Sequence, residues 1–145
     1  MKAGKAQSMS EISLAQIYST AVLTAAADIP RLGQLPAAMA SASARAPICG
    51  SRIFVTMNLA DGRITDFAQH VQACALGQAS ASLFADRVIG LSRIDVAAMR
   101  AHMQAMLTQG APYPAFDILR PAASLRERHG AMLLVFDATL AAFDA

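Results

Sequence analysis

Two cysteines are the residues of this chain best suited to chemistry. Cys49 stands in Ala46-Pro47-Ile48-Cys49-Gly50, and Cys74 in Ala73-Cys74-Ala75-Leu76-Gly77-Gln78-Ala79-Ser80. Between them runs a pattern that reads as one β-hairpin. An antiparallel pair returns the chain to where it began, so a cysteine just before the first strand and another just after the second finish at the same open end. Thiolates held as a pair serve soft metals and sulfur transfer. From Cys74 the letters turn helical, which sets that thiol at a helix N-terminus, where the partial positive charge favours thiolate over thiol.

The hairpin itself is legible. Arg52 to Leu59 alternates, with Ile53, Val55, Met57 and Leu59 on one face, and Asp61-Gly62 is a favoured tight turn. Arg63 to Gln72 is the returning strand, but its pattern is broken: Thr65, Phe67 and Val71 share one side, and Ile64 falls on the other with Asp66 and His70. Leu76, Ala79, Leu83, Val88 and Ile89 then keep helical spacing up to Gly90.

Elsewhere helices dominate. Ser8-Met9-Ser10-Glu11 has the form of a capping box, and Leu14, Ile17, Tyr18, Ala21, Val22 and Ala25 continue it as one amphipathic helix to Asp28. Pro30 disfavours helical geometry at Ile29. Residues 31–46, rich in Ala, Ser and Pro, are expected to be an extended or flexible connector. Another helix spans Ile94 to Leu107, with Ile94, Ala97, Ala98, Ala101 and Ala105 inward alongside Met99, Met103 and Met106. It is broken by residues 109–114, and a last helix runs from Leu125 to Phe143. The expected fold class is α+β, a small antiparallel β-sheet packed against several α-helices. One domain over residues 1–145, with a flexible N-terminus of about ten residues, accounts for the length.

Composition narrows the function. Of 145 residues, 55% are hydrophobic and 15% charged, with a net charge of +2 and no long run of one sign, so nothing marks a phosphate-tracking surface and nucleic acid is not an expected partner. No apolar stretch reaches the 18 residues of a membrane span, and the early residues lack a signal-peptide core, which points to a cytoplasmic protein. In a reducing compartment two cysteines more often mean metal, catalysis or packing than a disulfide. No hydrolytic triad, phosphate-binding loop or dinucleotide fingerprint occurs, so conventional enzyme classes are disfavoured, with sulfur transfer left open.

Taken in order, four segments resemble the NifU-like or IscU-type iron–sulfur cluster assembly scaffold family. Ile29-Pro30-Arg31-Leu32-Gly33 is similar to its Asn-Pro-Arg-Asn-x-Gly, and Ala46-Pro47-Ile48-Cys49-Gly50 to its Ala-Pro-x-Cys-Gly-Asp. The stretch Ala73 to Ser82 is similar to its Gly-Cys-x-x-x-x-Ala-Ser-x-Ser, and Arg128-His129-Gly130-Ala131-Met132-Leu133 to the His-Cys-x-x-Leu that opens its last helix. The resemblance implies a SufE/NifU-like sandwich and a transient two-iron two-sulfur cluster. It also implies a cysteine desulfurase and apo-protein acceptors as partners.

The chain departs from that pattern at its ligands. Ser51 stands where the family has aspartate. The third cysteine is missing: Gly130 takes its place if His129 matches the family histidine, whereas a shift of one residue puts His129 there instead. The Leu-Pro-Pro-x-Lys segment that binds a dedicated chaperone in some members of the family is absent, Leu119-Arg120-Pro121 being a faint echo. Cys49, Cys74 and His129 are therefore the expected metal and cofactor ligands, for a cluster or a single zinc ion, with a homodimer or a small thiol to complete the shell. The alternatives are a zinc-bound sulfur acceptor using a persulfide on Cys74, and a degenerate interaction module without metal. Ser51 reads first as a turn residue, His70 and His102 as polar residues outside the site, and the methionines as core. Arg126 and Arg128 are either a solvated face or cations near the site's negative charge.

Overall fold

The computed structural model describes residues 13–145. The Ser8–Glu11 capping box and the N-terminal ten residues fall outside them. The expected first helix is two helices. In α1 (Leu14–Ile17) Ser13 and Gln16 form a reciprocal capping box; α2 (Thr20–Ala27) begins anew because Ser19 accepts the Val22 N–H at 3.2 Å. A serine hydroxyl that takes a free helix-start donor competes with continuing the previous helix, and Tyr18 leaves helical geometry as a result.

Residues 31–46 differ most from expectation. Their second half is a strand, β1 (Ala40–Arg45), paired antiparallel with β2 (Arg52–Ala60), which pairs in turn with β3 (Arg63–Gln72), in the order β1-β2-β3. Alanine and serine have little strand propensity, so the strand is made by its surroundings. Ala40, Ala42 and Ala44 turn toward the core, while Ser41, Ser43 and Arg45 stay exposed. The first half is pinned as well: Arg31 O and Gly33 N both bond the Gln69 backbone at 2.9 Å, Leu35 N donates to Thr56 Oγ1 at 3.0 Å, and Met39 N to Asn58 Oδ1 at 2.9 Å.

The hairpin turns on Asp61 and Gly62, both with positive φ (53° and 75°), as a type I′ turn requires. A bulge explains the broken pattern in β3. Asn58 faces Asp66, but Leu59 faces Ile64, so Thr65 is an extra residue that brings Ile64 round to the buried face with Phe67.

Three further helices follow: α3 (Ala75–Ala85) and α5 (His129–Phe143) cover that face, and α4 (Arg93–Gln109) packs against α5. The α3 helix stops at Ala85, short of Gly90. In α4 the buried stripe is Val96, Met103, Met106 and Leu107, flanked by Met99; Ile94 is 79% exposed, and Ala98 and Ala101 also face outward. The larger side chains take the core because they remove more apolar area from water, about 1.5–3 kcal/mol for each one fully buried. Between α4 and α5 lie 3-10 turns, Pro114–Ser124 and Arg126–Arg128, so the last α-helix starts at His129 rather than Leu125. Buried on nearly every side, α5 runs through the centre of the molecule, and Phe84 stands edge-on to both Phe67 (5.8 Å) and Phe136 (5.3 Å).

No helix among the described residues is long and apolar enough to cross a membrane.

Candidate metal centre

Cys49 lies in the turn between β1 and β2, closed by Ala46 N to Ser51 O at 2.8 Å and Gly50 N to Ala46 O at 2.9 Å. Gly50 takes a φ of +73°, which a side chain would resist. Cys74 follows β3 and forms the N-cap of α3, its carbonyl accepting the Gln78 N–H at 2.9 Å while its side chain makes no capping bond. The register sets Arg52 opposite Gln72, three residues after Cys49 and two before Cys74. Both cysteines are thus at one end of the sheet. Each is a free thiol, partly buried against the core.

The first turn of α5 reaches the same corner. A Cβ placed on Gly130 would lie 3.6 Å from the Ala46 Cβ, and one on Gly77 would lie 2.9 Å from the Ala73 Cβ and 3.1 Å from the Ala131 carbonyl. Only glycine at position 77 lets the β3–α3 junction and α5 approach so closely. Ser80 ties the two helices further, donating to the Met132 carbonyl at 2.6 Å in the buried interior.

Electrostatics favour the Cys49 thiolate. Burial works to raise this thiol, but the Ser51 hydroxyl and backbone N–H and the charge of Arg128 outweigh it, and the net result is a value below the ordinary range. Sγ lies 3.2 Å from Ser51 Oγ, and Ser51 is only 4% exposed. Cys74 opens its helix as expected, whereas Ser51, expected first as a turn residue, also reaches Cys49. The signal for Cys49 was the Cys-Gly-Ser spacing, which lets residue 51 reach back over the turn. Of the two arginines, Arg128 acts on Cys49, whereas Arg126 lines a cavity next to His129.

His129 is engaged elsewhere. Its Nε2 meets the Ala123 carbonyl at 2.8 Å, a bond the ring can make only as donor, which leaves the lone pair of the neutral ring on Nδ1. Among the described residues no group of three or more His, Cys, Asp or Glu side chains is gathered closely enough to hold a metal ion. The structure therefore brings the two cysteines to one end of the sheet without assembling His129 with them. His70 stacks on Phe54 (6.3 Å) and His102 tilts against Tyr113 (5.5 Å), both exposed.

The arrangement is an α+β sandwich with two free thiols at one end of a three-stranded sheet, met by the start of a buried helix. The chain belongs to the NifU-like N-terminal domain family, whose model matches residues 17–117, a span that contains both cysteines and ends before His129. It is 37% identical to the N-terminal part of a nitrogen-fixing NifU-like protein from Brucella abortus, over 90% of this chain and 94% of that one, with a TM-score of 0.84. A putative iron–sulfur cluster assembly scaffold protein for the SUF system from Fervidobacterium islandicum AW-1 shares the fold at 18% identity, covering 90% and 99% of the two chains, with a TM-score of 0.79. A hypothetical protein of known structure is similar at 26% identity, 91% and 100% coverage and a TM-score of 0.72. No curated protein matches the chain.

Proposed function

We propose that this protein is an iron–sulfur cluster assembly scaffold that receives its cargo at Cys49 and Cys74. The observation that carries the reading is the pair itself: two partly buried free thiols at one end of a NifU-like sheet, one of them biased toward thiolate by Ser51 and Arg128. Thiolates donate strongly to iron and zinc, and a thiolate that forms readily binds either at neutral pH. His129 is the third protein ligand of this proposal, through Nδ1, with its Nε2–H held by the Ala123 carbonyl as metal-bound histidines are commonly held. Since the three are not gathered, loading draws the start of α5 toward the cysteines, and bridging sulfide, a small thiol or a second subunit fills the remaining positions.

A cysteine desulfurase as sulfur donor and apo-proteins as acceptors belong to the same proposal. Its test is iron and acid-labile sulfide in protein purified without air, beside Cys49→Ser, Cys74→Ser and His129→Ala. Iron with sulfide, lost in both cysteine variants, is the expected result; neither metal nor sulfide in any sample overturns it and favours an interaction module.

The uncapped Cys74 thiol at the start of α3 favours a second reading, sulfur acceptance. Here a Cys74 thiolate attacks the outer sulfur of a donor persulfide; the new S–S bond forms as the old one breaks, and the donor cysteine leaves as thiolate. Zinc without sulfide, together with transfer that fails in Cys74→Ser, is the result that selects it.

A further inference from the structure

A cavity of about 620 Å³ opens where the end of α4, the 3-10 turns and the start of α5 meet. Its size is that of a small-molecule site. Buried Met106 and Leu107 supply apolar lining, and Arg120, Arg126, His129 and Ser124 supply polar groups, while no aspartate or glutamate lines it. Arg120 is held in place: Nε donates to Asp117 Oδ1 at 2.9 Å and Nη1 to the Gly110 carbonyl at 3.1 Å, which leaves the donors of Nη2 unspent. Arg126 takes part in none of the ion pairs among the described residues. The α5 helix begins at this wall as a continuation of the 3-10 turn, the His129 N–H bonding the Arg126 carbonyl, so the positive charge here is that of the two guanidinium groups.

We propose that this cavity binds a small molecule with a short apolar stem and an anionic oxygen group, carboxylate or phosphate. The apolar lining takes the stem. Arg126, lacking a carboxylate of its own, pairs with the anion, and Arg120, preset by Asp117 and Gly110, offers the second contact without first having to be ordered. Arg120 is already ion-paired with Asp117, which leaves Arg126 as the wall's unpaired cation, so a single anionic group balances it better than a polyanion does. The cavity shares His129 with the metal centre proposed above but lies apart from the cysteine pair, and the anion contacts of Arg120 and Arg126 do not rest on that proposal.

The test is a titration of the isotope-labelled full chain, followed by amide chemical shifts. The probes are butyrate, inorganic phosphate, and chloride at matched ionic strength. Saturable shifts confined to residues 106–110 and 120–130, produced by butyrate or phosphate and not by chloride, are expected. The anion with the lower Kd assigns the source as carboxylate or phosphate. Arg126→Gln, at an exposed position, should weaken binding about tenfold, the order expected for loss of one charge-assisted hydrogen-bonded pair. Arg120→Gln should weaken it too, and Cys49→Ser should leave it unchanged. Shifts that do not saturate, that chloride reproduces, or that survive Arg126→Gln with unchanged Kd overturn the proposal. Iron content of the Arg126→Gln protein equal to the parent's keeps a failure here separate from any failure at the cysteines.

Discussion

Gly130 stands against Ala46, close enough that a Cβ on the glycine would touch the alanine methyl at 3.6 Å, an ordinary van der Waals distance. The turn that carries Cys49 therefore starts beside a position on α5 that has room for a side chain but offers no donor atom. Gly130→Cys should be accommodated without strain and add a third thiol at that corner. Iron or zinc retained against a chelator should dissociate at least tenfold more slowly, because soft thiolate ligands favour these metals and a factor of ten needs only about 1.4 kcal/mol. Retention equal to the parent's would show that Gly130 does not face the metal.

The surroundings of Cys49 set a pH dependence. A thiol whose value is lowered is more fully deprotonated at any pH below the ordinary range, so alkylation of Cys49 should begin at lower pH than that of a free cysteine. Measured in a Cys74→Ser background, the midpoint of the rate against pH should lie below the usual thiol range. In Ser51→Ala and Arg128→Gln it should move upward, because each change removes a stabiliser of the anion and leaves burial opposing it.

Gly77 holds the site closed. Gly77→Ala gains helix propensity, up to about 1 kcal/mol. Against this stands a methyl at 2.9 Å from the Ala73 Cβ and 3.1 Å from the Ala131 carbonyl, neither of them the far end of a flexible side chain. Overpacking of this kind costs about 1–3 kcal/mol, so the clash wins and net destabilisation of about 1–2 kcal/mol is expected in urea unfolding. Metal retention should fall as well, because the junction that bears Cys74 is pushed from α5.

Phe84 joins the sheet to α5 through edge-on contacts with Phe67 and Phe136, and none of it is exposed. Phe84→Ala should lower stability by about 3–5 kcal/mol, read by denaturant unfolding. Phe84→Leu should recover a large part of that loss. Equal losses in the two variants would contradict a packing role.

Much of this architecture is written in local pattern. The alternation of Ile53, Val55 and Met57, the Asp61-Gly62 turn and the helical spacing after Cys74 each follow from short-range rules, and the sheet with its covering helices followed from them. The rest required context. β1 carries no strand signal because its alanines and serines are selected by the space beneath α5, and Ile64 was misplaced because a bulge changes parity without leaving a mark at that position. At the site, residue types pointed to the cysteines, and the register of β2 and β3 explains how they come to one end of the sheet. The Ser51 contact showed only as the Cys-Gly-Ser spacing because it depends on the shape of a six-residue turn, and the engagement of His129 with Ala123 did not show because 3-10 geometry replaced the helix expected there.

The position of α5 has a consequence for how the protein breathes. Amides in the middle of a helix enclosed on every side open only when the whole structure does, so α5 should hold the slowest-exchanging hydrogens of the chain. Its first turn follows short 3-10 turns and carries no side-chain cap, and so belongs to the fast-exchanging end of the same scale. The corner beside the cysteines is thus a seam between the most and least protected backbone, where residues 126–130 can rearrange while the enclosed turns behind them stay shut.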